Sequence, residues 1–196
     1  LVDDAVRLFS EGAHQKGLSL SVKIAPDIPP ALRGDPIRLR QILLNLIGNA
    51  IKFTATGSIT VSADCLKRSA EQILLRVTVR DTGIGIPPES QARVFDAFAQ
   101  ADGSTTRKFG GTGLGLTIVK QLVHLMGGTV DLESIPGLGS TFGFTVPLEV
   151  RPDNTMSSAI VQPHQSNATL HGNILLAEDN VVNREIAVAM LRGDVE

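Results

Sequence analysis

Residues 41–54 read QILLNLIGNAIKFT and make a helix with two chemically different faces. At about 3.6 residues per turn, Leu39, Ile42, Leu43, Leu46, Ala50 and Phe53 fall on one apolar stripe, which must be buried against another layer. Gln41, Asn45, Gly48, Asn49 and Lys52 lie on the other side, three or four residues apart. A surface helix would fill that side with Glu, Lys and Arg. Two amides, a glycine and one cation suit a ligand better than bulk water. The competing reading is a solvated face rich in Asn, and the rest of the chain decides between them.

The 196 residues hold one domain, or one and part of another, and 42% hydrophobic content is enough for a core. A net charge of −2 with no run of Arg or Lys argues against a nucleic-acid surface. The apolar run at residues 42–51 is interrupted by Asn45, Gly48 and Asn49 and is too short to span a bilayer. The opening LVDD carries acid where a signal peptide carries base. A single cysteine, Cys65, allows no internal disulfide, fits a reducing compartment, and reads as a small strand residue.

In chain order, residues 1–16 form a helix stopped by Gly17, and residues 18–24 alternate with period two as a half-buried strand. Asp35 before Pro36 is an N-cap followed by proline at the first helical position, so the amide-bearing helix starts there. A second strand begins at Gly57 and a third covers residues 73–81. In the third, Ile73, Leu75, Val77 and Val79 share a face, and alternation aims Asp81 to the same inward side. A buried carboxylate needs a partner. Either it meets a ligand, or it caps the glycine-containing turn TGIGIP that follows. The pattern then predicts a short helix from Pro88 to Phe98, a lid-like loop over residues 99–112, and a helix over residues 113–126 whose N-terminus suits an anion. Strands at residues 129–133 and 140–147 complete the unit. Residues 149–172 are polar and aperiodic, a linker, and residues 173–196 open a new α/β domain.

Three features converge on one ligand. Amide oxygens suit a hard cation such as Mg²⁺ that keeps its waters and bridges phosphates. Glycines at residues 110–115 beside a helix start suit phosphate oxygens. An inward carboxylate in an apolar pocket suits an exocyclic amine. A Mg²⁺-bound nucleotide with an adenine base satisfies all three, whereas neither G-x-G-x-x-G nor G-x-x-x-x-G-K-[ST] occurs.

On these segments the chain resembles the catalytic, ATP-binding domain of a hybrid sensor histidine kinase. Residues 41–54 resemble the N box, 81–85 (DTGIG) the first glycine box, 95–98 (FDAF) the F box, 111–116 (GTGLGL) the second glycine box, and 137–142 (GLGSTF) the last glycine-containing segment. The resemblance covers residues 1–148 and implies a two-layer α/β sandwich of the Bergerat type, with helices on one face of a mixed sheet. It assigns Mg²⁺ to Asn49 with Asn45 assisting, and phosphate to Lys52 and to Arg107 or Lys108. The base amine goes to Asp81, with Gly83, Gly85, Ile86 and Phe98 around it and Thr141 on the adenine side. Gly111, Thr112, Gly113, Leu114, Gly115 and Leu116 would wrap the triphosphate.

Hydrolytic members of the same superfamily carry a glutamate one turn before the metal-binding Asn. Asn45 stands there and cannot act as a general base, which favours phosphoryl transfer over hydrolysis. A hydrolysing ATPase and a nucleotide-binding regulatory module are the alternatives. His14, His124, His164 and His171 lack the acidic and proline neighbours of a phosphoacceptor, so the resemblance places the substrate histidine on a dimerisation domain outside these residues. The tail resembles the start of a response-regulator receiver, with Glu178 and Asp179 as its metal-holding acidic pair and Asn183 in the same loop. The fragment is expected to be monomeric and cytoplasmic, with the full-length kinase a homodimer compatible with an anchor in the inner membrane.

Overall fold

Helix α1 (Val2–Gln15) leads into strand β1 (Leu18–Ile24), a short strand β2 (Leu32–Arg33) and the long helix α2 (Pro36–Phe53). Strands β3 (Gly57–Arg68) and β4 (Gln72–Asp81) follow, then helices α3 (Pro88–Gln91) and α4 (Gly115–Leu125), and strands β5 (Thr129–Ile135) and β6 (Gly139–Val150). The structure is a computed structural model and describes residues 1–96 and 114–151.

The sheet is mixed. β1 and β3 run parallel, while β3–β4 and β4–β6 are antiparallel, and β5 and β2 both pair with β6. The register lines up apolar rows across the sheet: Ile59 faces Asp81, Val61 faces Val79 and then Phe142, and Ala63 faces Val77 and then Phe144. All these residues are buried. Residues directly opposite on paired strands point the same way, so one face of the sheet is apolar. Ala5, Val6 and Ala13 of α1, Ile42 to Ala50 of α2, and Val119 and Val123 of α4 cover it as a single core. The result is the two-layer α/β sandwich the sequence implies.

Local signals explain most boundaries. Asp35 caps α2 through Oδ1, which accepts from the amides of Ile37 and Arg38, both at 3.1 Å. Gly127 ends α4 with φ +73°. Four expectations change. Ile47 joins the buried side of α2, so the apolar stripe is wider than its minimal set. Gly48 packs beside α1: a Cβ there would lie in ordinary van der Waals contact with the Phe9 ring at 3.7 Å, so this part of the amide-bearing side meets a helix. The helix from Pro88 stops at Gln91, and turns in which Arg93 donates to Ser90 O and Asp96 to Arg93 O carry the chain onward. β6 runs through Val150, past the expected linker start at 149, because β2 supplies it with partners at Glu149 and Val150. No helix among the described residues is long and apolar enough to cross a membrane.

Candidate functional site

Asp81 ends β4 on the inward row at 5% exposure. Its Oδ1 accepts from the backbone amide of Gly83 at 2.8 Å and of Ser140 at 3.3 Å. Burial nevertheless dominates and raises the carboxyl pKa above its ordinary value, the two amide bonds opposing this. The two sequence readings of Asp81 are therefore compatible: the side chain caps its own turn and remains a buried acceptor.

The turn after Asp81 is held by backbone approach. A Cβ on Gly83 would lie 2.4 Å from Phe53 O at the end of α2, and Ile84 N donates to that same carbonyl. Gly85 has φ +68°, and a Cβ there would lie 2.1 Å from Ile135 O. Gly139 (φ +112°) would meet Asp81 O at 2.0 Å. The close approach anticipated for the first glycine box is thus to the protein's own backbone.

Near the middle of α2, Asn45 Nδ2 donates to Gln41 O at 3.0 Å, which leaves Oδ1 turned outward from that bond. A Cβ on Gly115 would lie 3.1 Å from Asn45 Oδ1, so the N box and the second glycine box meet here. Leu114 stands at the N-cap of α4 without a side-chain cap, and half-buried Gly115 and Leu116 form its first turn. The start of α4 thus directs backbone amides toward whatever lies beside Asn45. Asn49 follows Asn45 by one turn, half-buried, and Lys52 follows again with Nζ 4.9 Å from the Phe53 ring centroid. From Asn45 to Phe53 the helix rises about 12 Å. The C-terminal half of α2 therefore links two places, the Asp81 turn at Phe53 and the α4 N-terminus beside Asn45.

Ile86 is half-buried at the edge of the Asp81 turn. Thr141 is not brought to this place. The register pairs it with Arg80 and Glu133, on the sheet face away from the helices, whereas Ser140 shares the inward face of Asp81 at 6% exposure. Ser140 was passed over, although alternation counted back from Phe142 and Phe144 points it inward. Ser134 and Gln91, which hydrogen-bond around the same turn, carried no sequence signal. Phe95 packs edge-on against Phe142, with centroids 6.2 Å apart. Phe98, Arg107, Lys108, Gly111, Thr112, Gly113, Glu178 and Asp179 lie outside the described residues.

Residues 34–150 match the family model of the histidine kinase-, DNA gyrase B- and HSP90-like ATPases. The signal transduction histidine-protein kinase BarA of Escherichia coli strain K12 is 47% identical over 152 residues, 78% of this chain and 17% of that protein. The chain thus spans about a sixth of that relative's length. Among solved structures, full-length ShkA in complex with AMPPNP matches at TM-score 0.66 and 37% identity, covering 76% of this chain and 30% of that one. The nucleotide-free catalytic domain of histidine kinase ThkA matches at TM-score 0.60 and 26% identity, covering 74% of this chain and 90% of that one.

Proposed function

The chain belongs to the histidine kinase-, DNA gyrase B- and HSP90-like ATPase family, as an ATP-binding catalytic domain of the histidine-kinase kind, and we propose that it donates the γ-phosphoryl group of ATP to a histidine on a separate dimerisation domain. The observation that supports this best is the link along the C-terminal half of α2, with a buried acceptor beside Phe53 and the start of α4 beside Asn45. Asp81 takes the exocyclic amine of the base. Gly115, with Gly111 and Gly113, lies along the phosphates, assisted by Lys52 and by Arg107 or Lys108.

Asn49, helped by Asn45, suits a hard cation that takes its remaining ligands from phosphate and water. Mg²⁺ bound there would neutralise phosphate charge. Asn45 commits one hydrogen of its amide to Gln41 O and offers a neutral oxygen, so it cannot deprotonate water. That favours transfer over the hydrolysis of an ATPase of the same superfamily. The residues after Val150, up to 172, act as a linker, and residues 173–196 begin a receiver domain whose acidic pair is Glu178 and Asp179. Its partner is the histidine-bearing dimerisation domain of the same protein, within a full-length kinase that is a homodimer and keeps this domain in the cytoplasm.

Incubation with radiolabelled ATP, Mg²⁺ and a dimerisation domain bearing the acceptor histidine tests this. Acid-labile label on that domain, with little free phosphate, is expected. Steady phosphate release without label transfer would overturn the transfer reading.

A further inference from the structure

Around the Asp81 turn runs a hydrogen-bond chain that begins on α3. Gln91 Nε2 donates to Ile86 O at 2.8 Å and to Ser134 O at 2.9 Å, which uses both hydrogens of its amide. Ile86 N donates to Ser134 Oγ at 2.8 Å. The same hydroxyl lies 3.1 Å from Gly139 O and 2.9 Å from Ser140 Oγ. Ser140 N in turn donates to Asp81 Oδ1.

A serine hydroxyl has one hydrogen and two lone pairs. Ser134 meets all three contacts in one arrangement: it accepts from Ile86 N, donates to Gly139 O, and accepts from Ser140. Ser140 then has no hydrogen left to offer. Beside it Asp81, when ionised, has none either. Two neighbouring groups that can only accept select a ligand edge that donates.

We propose that Gln91 and Ser134 are positioning residues for base recognition: they hold the Asp81 turn in place and commit the Ser140 hydrogen, so that the pocket accepts an amine and rejects a carbonyl. This rests on the assignment of the base amine to Asp81. A six-amino purine fits such an edge, and a six-oxo purine presents oxygen where Ser140 and ionised Asp81 have no hydrogen to give.

The test compares ATP with inosine triphosphate by calorimetric titration in wild type, Gln91→Ala, Ser134→Ala, Ser134→Thr and Asp81→Asn, with a thermal melt of each. The ratio of the two affinities is internal to each variant, so partial unfolding weakens both nucleotides and leaves the ratio unchanged. Ser134→Ala and Gln91→Ala should lower the ratio by about threefold to tenfold. Ser134→Thr keeps the hydroxyl and should keep the ratio. Should both alanine variants retain the wild-type ratio while Asp81→Asn loses it, the positioning role is overturned and the base assignment stands. A ratio that Asp81→Asn also leaves untouched would overturn both.

Discussion

Asparagine in place of Asp81 would keep the shape of the side chain and remove its charge. In the folded domain burial raises the Asp81 carboxyl pKa, against the smaller effect of the Gly83 and Ser140 amides. A raised folded-state pKa means that stabilisation by this group is fully present below its unfolded-state pKa. It is lost as pH rises through the folded-state value. Above that folded-state value the unliganded domain holds a carboxylate whose burial opposes folding. Asp81→Asn retains an oxygen able to accept from both amides, so above that value the substituted domain should melt at or above the wild-type temperature. That advantage should vanish on acidification, as the wild-type carboxyl protonates. Nucleotide binding should move the other way. A hydrogen bond to a charged acceptor contributes about 1.5–3 kcal/mol, so the Kd for ATP should rise roughly 10- to 150-fold. Wild-type affinity should also fall with decreasing pH across an inflection that Asp81→Asn lacks. Scanning calorimetry without nucleotide, paired with titration calorimetry with ATP, measures both effects. A variant that melts several degrees lower and binds ATP unchanged would refute the reasoning on both counts.

Gly85→Ala forces a side chain onto a φ of +68° with Ile135 O in its path, and should cost at least about 2 kcal/mol in urea denaturation. Asn45→Glu sets a carboxylate beside Gly115, where it can serve as a general base. Phosphate release should rise by up to about 100-fold, and an unchanged rate would show that the amide is not what limits hydrolysis. Asn49→Ala should weaken ATP binding in the presence of Mg²⁺ and leave metal-free binding, measured with chelator, within about twofold of wild type.

Much of the site was legible because it obeys short-range rules. The Asp35-Pro36 start, the spacing of Asn45, Asn49 and Lys52 along one helix, and the inward aim of Asp81 follow from periods of 3.6 and two. The misreadings came where a residue's role depends on something distant in sequence. Gly48 lies on the amide side in a helical projection, yet its neighbour is Phe9 of α1. Thr141 and Ser140 are adjacent in sequence, and the pairing of β6 with β4 shows which one stands beside Asp81. β2 is too short for any period to reveal and exists because β6 offers it an edge.

Residue chemistry and spacing alone thus determined the helix that carries the amides and the inward aim of the buried acid, while the layer order came from the family resemblance. Tertiary structure decided what those groups meet: Gly115 against Asn45, Phe53 O under Gly83, and the Ser134–Ser140 pair beside Asp81. Periodicity orients a side chain relative to its own backbone. Which atom waits on the other side is set by strand register and helix packing, and those are properties of the whole sheet.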